Sequence, residues 1–184
     1  PMFKLPVIDL TKARTGTPQD RLEVAAQIDK ACREDGFFAI KGHGIDKSIF
    51  ENGYKSLDAF FKLPLEEKNK CVTDVQSCRF QKNGYSPYLE ESANALMGKP
   101  ELPYDYVEKV SMGLSLLDDD LPLPFPSDPS CADLRKNMKA YFEASLEMSN
   151  LVLRLCALAL DLPEEYLVEK TNESANYLRW HRYP

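Results

Sequence analysis

Three strand-like segments lie far apart in the sequence, and this separation constrains the fold more than any other feature. They cover residues 7–10, 37–41 and 177–183, with long helical stretches between them. Every strand needs neighbours for its backbone N–H and C=O groups, so three strands spaced this widely cannot form a stable sheet by themselves. We therefore expect the missing neighbours to lie downstream of Pro184 or on another chain.

The stretches between these strands carry the periodicity and punctuation of helices. Asp20 is a candidate cap for the first helix. Asp46 or Ser48 opens a second helix, which ends before Pro64. The longest helix is expected over residues 131–160, because apolar residues recur there at helical spacing: Leu134, Met138, Tyr141, Phe142, Val152, Leu153, Cys156 and Leu160.

Residues 71–126 are the least regular part of the sequence. They contain Asn83 followed by Gly84, which is a turn signal, and a proline-rich stretch over residues 121–126 that is incompatible with a helix. Helices thus dominate the expected structure, with a few strands added to them. The fold class that we expect is α+β.

Composition and charge narrow the classes of function. The 184 residues are 43% hydrophobic and carry a net charge of −6 without a basic run, which argues against nucleic acid as a partner. No apolar stretch approaches the roughly 18 residues of a membrane helix, and no secretory signal is visible. The five cysteines are odd in number and irregularly spaced, which favours a reducing compartment over a disulfide framework. We therefore expect a cytoplasmic protein that does not bind membranes.

Only two histidines, His43 and His181, are available as imidazole ligands for a metal. A mononuclear non-haem iron centre needs two imidazoles and a carboxylate on one face, and its usual local form is His-x-Asp. His43 is followed by an aspartate only at the third position, and His181 is followed by none. We therefore expect no metal ligand in this chain. Without a nucleophile elbow or a phosphate-binding loop, we expect no catalytic residue in it either.

The two histidines are expected to play other roles. His43 lies between two glycines at a strand end, where a hydrogen bond to nearby backbone is the expected arrangement. For His181 two interpretations stay open. If the final strand lines a cavity, His181 faces a cosubstrate; otherwise it is a core or surface residue.

A polar and aromatic cluster covers residues 79–88 and also allows two interpretations. In the first it is an ordered surface loop. In the second it is the wall of a pocket, in which Arg79 binds a substrate carboxylate and Tyr85 or Tyr88 makes apolar contact with the substrate. The residues alone do not favour one over the other.

Six short motifs follow one another along nearly the whole chain. Each is weak alone, but their order is specific. The motifs are Pro6-Val7-Ile8-Asp9-Leu10, Ala31-Cys32 through Gly36-Phe37-Phe38, Gly42-His43-Gly44-Ile45, Phe60-Phe61-Lys62-Leu63-Pro64 with Glu67-Lys68, Gly84-Tyr85-Ser86-Pro87, and Leu178-Arg179-Trp180-His181-Arg182-Tyr183-Pro184. In this order they resemble the amino-terminal region of the iron(II)- and 2-oxoglutarate-dependent oxygenases of the isopenicillin N synthase-like group.

The resemblance implies a mostly helical amino-terminal region over residues 1–175, followed by a strand at residues 176–184. That strand would lead into a double-stranded β-helix, or jelly roll, lying largely beyond residue 184, whose sheet the strands of this chain would extend. In the family the jelly roll carries the His-x-Asp motif, a distal His and an Arg-x-Ser motif. None of these occurs in the 184 residues.

The resemblance also implies cofactors, site residues and a reaction. The cofactors are Fe(II) and 2-oxoglutarate. Tyr183 corresponds to the tyrosine that reaches the cosubstrate carboxylate, and His181 occupies a position where the family often has Asn. Arg79, Tyr85 and Tyr88 fall in the segment that shapes the substrate pocket. The reaction is the decarboxylation of 2-oxoglutarate by molecular oxygen, coupled to oxidation of a small organic substrate.

The parent protein is therefore expected to be a dioxygenase, and the 184 residues alone are expected to be inactive. Two alternatives remain open. The first is a non-catalytic relative without iron, which uses the same surface to bind a ligand or a partner. The second is an oxidase of the isopenicillin N synthase type that does not use 2-oxoglutarate.

Overall fold

The computed structural model describes residues 4–78, 81–90, 92–113, 117, 123–171 and 176–184. The chain divides into two units. The first comprises Pro1–Asp46 and Glu143–Ser174, and the second comprises Lys47–Phe142 and Ala175–Pro184. Helices and strands both occur, which confirms the expected mixture of the two.

In the first unit, two strands that are distant in sequence pair with each other. Strand β1 (Val7–Asp9) runs parallel to β2 (Ala39–Lys41), and helices α1 (Thr11–Thr15) and α2 (Pro18–Glu34) connect them. Such a parallel pair requires a long crossover, and the two helices supply it. The expectation that these strands lack neighbours within the chain is therefore wrong.

Helix α2 begins earlier than expected because its cap is Thr17 and not Asp20. The Thr17 hydroxyl accepts a hydrogen bond from the Asp20 backbone N–H, and the Asp20 carboxylate accepts one from the Thr17 backbone N–H at 2.8 Å. This is a capping box, with Pro18 at the first helical position. Asp20 contributes to the cap from inside the helix.

The core of the first unit lies between these elements and the last part of helix α6 (Leu134–Ala159), before the short helix α7 (Tyr166–Thr171). The buried side chains are aliphatic: Ile8, Leu10, Ala13, Val24, Ile28, Ala31 and Leu155. The Leu155 side chain is fully buried among them. Burial of this apolar surface is the main stabilising contribution to the unit. The capping and surface hydrogen bonds contribute less.

The second unit contains an antiparallel sheet in the order β3-β4-β5-β6. Its strands are β3 (Val72–Cys78), β4 (Gln81–Ser86), β5 (Glu108–Gly113) and β6 (Tyr177–Arg182). Three of them fall in the region expected to be least regular, so that expectation is wrong. The expectation that the final strand lacks a neighbour in the chain is also wrong, because β6 pairs with β5 along six residues.

Helices complete the second unit: α3 (Lys47–Lys62), α4 (Leu65–Asn69), α5 (Ala93–Leu96) and the beginning of α6. Aromatic side chains connect two of them to the sheet. Phe60 of α3 lies 5.7 Å from the ring of Tyr85, and Tyr141 of α6 lies 5.6 Å from the ring of Trp180. One sheet face is thereby covered by helices. No helix in the described part of the chain is long and apolar enough to cross a membrane.

The aliphatic core of the first unit generates a stability prediction. Replacing Leu155 with Ala removes a side chain that is 0% exposed. We expect the free energy of unfolding to fall by about 2–5 kcal/mol, because a cavity remains where methyl groups were packed. Urea denaturation at neutral pH measures this change.

Leu160 provides the matched control, since the same substitution at this 57% exposed residue leaves no cavity. Leu160→Ala is expected to change the free energy by less than about 1 kcal/mol. Equal losses for the two variants would show that Leu155 does not lie in the core.

Candidate functional site

Strands β5 and β6 have two chemically different faces. Side chains alternate along each strand, so every second residue shares a face. The face that packs against α3 and α6, called here the Trp180 face, carries Glu108, Val110, Met112, Leu178, Trp180 and Arg182. The opposite face, called the His181 face, carries Lys109, Ser111, Arg179 and His181. Cross-strand register places Lys109 opposite His181 and Ser111 opposite Arg179.

A buried carboxylate lies at one end of the Trp180 face. Glu108 is 0% exposed, and its two oxygens accept four hydrogen bonds from side chains. Lys68 Nζ and the Tyr85 hydroxyl donate to Oε2 at 2.6 and 2.7 Å. Arg182 NH1 and the Tyr88 hydroxyl donate to Oε1, both at 3.0 Å. A carboxylate is tolerated in such a position only when it is paired and its lone pairs are used, as they are here.

The same contacts determine the ionisation of Glu108. Burial alone would raise the pKa of this carboxyl group, but hydrogen bonds from Lys68, Tyr85 and Tyr88 outweigh it and hold the pKa below its usual value. Burial also raises the pKa values of Tyr85 and Tyr88, and their hydrogen bonds to the Glu108 anion raise them further. Both tyrosine hydroxyls therefore remain protonated donors at neutral pH.

A backbone carbonyl extends this cluster to the end of helix α3. The oxygen of Phe61 accepts hydrogen bonds from Arg182 NH1 at 2.9 Å and from Lys68 Nζ at 3.4 Å. The last carbonyls of a helix have no partner within the helix, so cations are favourable there. Arg182 is thus attached both to Glu108 and to α3, which fixes the carboxyl end of β6.

The His181 face differs from the Trp180 face because it carries basic side chains and no buried carboxylate among the residues named above. The side chain of Lys109 is almost completely buried, and its pKa is lowered to about 8, mostly by burial and less by the charge of Arg179, while Glu90 acts in the opposite direction. Burial, Arg179 and Lys109 all lower the pKa of His181. The imidazole of His181 is therefore neutral at pH 7, whereas Lys109 and Arg179 carry charge.

Tyr183 follows directly after strand β6 and is 69% exposed. Its ring packs edge-on against His181, with 6.0 Å between the ring centroids. The structure thus brings together the two residues that the sequence assigned to the cosubstrate. Their role in binding it stays a prediction.

The three residues assigned to the substrate pocket are placed differently. Arg79 lies outside the described residues. Tyr85 lies on the Trp180 face with its hydroxyl bound to Glu108, and Tyr88 binds the same carboxylate while its ring stacks on Tyr106 at 4.9 Å. Their assignment to the pocket also stays a prediction.

The remaining histidine behaves as a strand-end residue. The Ile45 backbone N–H donates to Nδ1 of His43 at 3.1 Å, and glycines in the left-handed region, Gly42 and Gly44, flank this residue. Among the residues that the structure describes, no three His, Cys, Asp or Glu side chains come close enough to form a metal site. These described residues do not fit an iron centre.

Sequence reasoning missed the residues that organise this site, namely Lys68, Glu108, Lys109 and Arg182. A signal was present in the segment Lys109-Val110-Ser111-Met112, where polar and apolar residues alternate as in a strand. It is short, and nothing local shows that both of its faces are buried.

Comparison with known proteins identifies the family. Residues 5–128 match the family described as the amino-terminal region of a non-haem dioxygenase in morphine synthesis. The match covers more than half of the chain, so this chain belongs to that family of dioxygenase amino-terminal regions. The resemblance to iron(II)- and 2-oxoglutarate-dependent oxygenases is thereby confirmed.

Two curated relatives illustrate the extent of the similarity. The 2-oxoglutarate-dependent dioxygenase caaD of Aspergillus niger is 29% identical over 99% of this chain and 56% of its own length. Homoarginine-6-hydroxylase 2-ODD-233 of Oryza sativa subsp. japonica is 33% identical over 79% of this chain and 43% of its own. The chain therefore spans about half the length of the curated relatives it matches.

Solved structures show the same fold. A full-length Neurospora crassa protein, crystallised in complex with alpha-KG, superposes with a TM-score of 0.79 over 98% of this chain and 54% of its own, at 23% identity. A 2OG-Fe(II) oxygenase family protein from Caulobacter crescentus gives a TM-score of 0.76 over 100% of this chain and 57% of its own, at 18% identity.

The buried cluster around Glu108 leads to a prediction about stability and pH. Glu108→Gln removes the anion and leaves the charge of Lys68 buried without it. We expect the free energy of unfolding at pH 7 to fall by about 3–5 kcal/mol, measured by urea denaturation. Glu66→Gln is the control, since Glu66 is exposed on α4, and it should change stability by less than about 0.5 kcal/mol.

The pH dependence of that loss follows from the lowered pKa of Glu108. The stabilisation is present above the unfolded-state pKa of about 4.3 and is lost as the pH falls through the lower folded-state value. The difference in the free energy of unfolding between the original protein and Glu108→Gln should therefore become smaller at acid pH. If this difference stays constant down to the pH at which the protein unfolds, Glu108 is not ionised in the folded state.

Proposed function

We propose that the whole protein is an Fe(II)- and 2-oxoglutarate-dependent dioxygenase and that this chain is its amino-terminal region. The observation that carries the proposal is the family match over residues 5–128. The named dioxygenases among the relatives and the fold shared with the Neurospora crassa protein bound to alpha-KG support it. Fe(II) and 2-oxoglutarate would supply the oxidising power, with molecular oxygen as co-reactant and a small organic molecule as substrate.

The proposed division of the protein follows from the position of β6. Residues 1–175 would form the amino-terminal region, and residues 176–184 would lead into a jelly roll that carries the iron ligands. As far as the structure describes the chain, β6 is one of the two edge strands of its sheet. An edge strand presents unpaired backbone groups to a further strand, so β6 is suited to continue into the larger sheet of such a jelly roll.

The His181 face would then line the cavity in which the reaction takes place. Tyr183 can donate its hydroxyl to a carboxylate of 2-oxoglutarate, and the neutral imidazole of His181 can donate or accept a hydrogen bond beside it. Arg182 lies on the opposite face and donates hydrogen bonds to Glu108 and to the Phe61 carbonyl. These contacts would orient the adjacent residues His181 and Tyr183. This chain would bind and orient the cosubstrate, and the metal would be supplied elsewhere in the protein.

The substrate pocket would include the segment that contains Arg79, Tyr85 and Tyr88. Because Tyr85 lies on the Trp180 face and its hydroxyl is bound to Glu108, we propose that Tyr85 supports this segment from behind and that the ring of Tyr88 contributes to the pocket wall. Arg79 would bind a substrate carboxylate. The described cysteines Cys32, Cys71, Cys131 and Cys156 are free thiols, which supports a location in the reducing cytoplasm.

A cosubstrate assay tests the proposal with the complete gene product. Supplied with Fe(II), oxygen and 2-oxoglutarate, it should form succinate, and Tyr183→Phe should raise the KM for 2-oxoglutarate roughly 10- to 100-fold through loss of one hydrogen bond to a charged group. Tyr54→Phe, an exposed residue of α3, is the matched control and should leave the KM unchanged.

The outcomes separate the proposed function from its alternatives. Absence of 2-oxoglutarate-dependent succinate formation would refute the dioxygenase proposal. If oxygen is consumed while 2-oxoglutarate is not, the oxidase alternative is favoured, and if ligands bind without either consumption, the non-catalytic alternative is favoured. An unchanged KM in Tyr183→Phe would remove Tyr183 from the cosubstrate site.

A further inference from the structure

Two cysteines lie on the helix faces that meet in the core of the first unit. Ile28 and Ala31 of α2 and Leu155 of α6 are buried in that core, and Cys156 packs against it. Cys32 follows Ile28 by four positions, which places it on the same face of α2, one turn further along. The two cysteines are therefore on facing sides of one helix contact, although they are distant in sequence.

An electrostatic interaction between the two thiols supports this placement. The pKa of Cys156 is raised mainly by burial and in addition by the charge of a Cys32 thiolate. The energy between two charges falls with distance and is screened by water and salt, so such an effect requires neighbouring groups. Helix packing and electrostatics thus place the two thiols together.

The two thiols differ in their access to solvent. Cys32 is exposed, whereas Cys156 is half-buried. An oxidant dissolved in water therefore reaches Cys32 first, and Cys156 is the neighbour that can react with the product. Cysteines that respond to oxidants commonly combine these two features, an accessible thiol and a second thiol close to it.

A second pair of cysteines in the chain lacks the accessible thiol. Cys71 and Cys131 also interact electrostatically, but they are only 3% and 4% exposed. Burial raises the pKa of Cys71 to about 11, so its thiol is protonated and unreactive at neutral pH. This pair provides an internal control, because two thiols lie near each other and neither is accessible to solvent.

We propose that Cys32 and Cys156 form an oxidative modification site, at which hydrogen peroxide joins α2 to α6 through a reversible disulfide. The Cys32 thiolate attacks peroxide and becomes a sulfenic acid, and one oxygen of the peroxide leaves as water. The Cys156 thiol then attacks the Cys32 sulfur, so that the S–S bond forms, the S–OH bond breaks and a second water leaves. In total the two thiols lose two electrons and two protons, and peroxide is reduced to two molecules of water.

The disulfide would attach the carboxyl-terminal end of α2 to α6. Local opening of α2 would then be restricted, because a covalent bond between residues distant in sequence limits the open and unfolded states. In a reducing compartment the pair remains as free thiols, which is its state in this structure. The thiolate of glutathione reverses the oxidation by thiol–disulfide exchange. This inference is independent of the proposed catalytic function.

Peptide mapping of the complete gene product tests the site. The folded, reduced protein is treated with hydrogen peroxide at neutral pH, with a chelator present so that no iron reacts with the peroxide. Remaining thiols are blocked with iodoacetamide, and the protein is digested without reduction. We expect a disulfide-linked peptide pair that contains Cys32 and Cys156 and is lost on incubation with glutathione. Amide hydrogen exchange in α2 should be slower in the oxidised protein, by roughly 10-fold or more.

Three variants identify the reacting thiols. Cys32→Ser, a change at an exposed position, should slow the peroxide-dependent loss of the Cys156 thiol at least about 10-fold. Cys156→Ser should instead leave Cys32 as a sulfenic acid, which dimedone traps. Cys71→Ala is the matched control and should leave the yield of the linked pair unchanged.

Three results would overturn the inference. The first is that no linked peptide containing Cys32 and Cys156 forms in the folded protein, whether or not peroxide consumes Cys32. The second is that the linked pair forms only after unfolding in urea. The third is that Cys71 and Cys131 become linked as readily as Cys32 and Cys156, which would show that exposure does not select the reacting pair.

Discussion

The carboxylate of Glu108 accepts hydrogen bonds from α4, from β4, from Tyr88 and from β6, and the position of the final strand depends on these contacts. Arg182 is bound both to Glu108 and to the last turn of α3. Because side chains alternate along a strand, fixing Arg182 on one face places His181 and Tyr183 toward the other. One buried charge thus helps to fix which side chains of β6 lie on each face of the sheet.

The two faces of this sheet differ in how their buried charges are compensated. The Trp180 face carries apolar and aromatic contacts to the helices, and its buried carboxylate is compensated by four donors. The His181 face carries two cations, Lys109 and Arg179, whose charges repel each other, and a buried Ser111 hydroxyl that makes no hydrogen bond within the described residues. Perturbed pKa values are common at functional sites, and this contrast is the physical basis for proposing a site on the His181 face.

The sequence allowed the first and last strands, helices α3 and α6 and the family to be predicted, since each depends on local periodicity or on ordered motifs. Strand β5 was missed because its six residues are buried on both faces although half of them are polar. The cluster around Glu108 was missed because its members are distant in sequence. Lys68 lies 40 residues before Glu108 and Arg182 lies 74 residues after it, and no local sequence pattern shows such contacts. The cap of α2 was misplaced because Thr17 and Asp20 are both good capping residues, and only their mutual hydrogen bonds distinguish them.

A double-mutant cycle between Glu108 and Arg182 tests the central claim most directly. The free energy of unfolding is measured for the original protein, for Glu108→Gln, for Arg182→Met and for the double variant. If the carboxylate fixes β6 through Arg182, the two losses will not add, and the coupling energy will be about 1–3 kcal/mol. Losses that add, with a coupling energy near zero, would show that β6 is positioned by other contacts and would contradict the account.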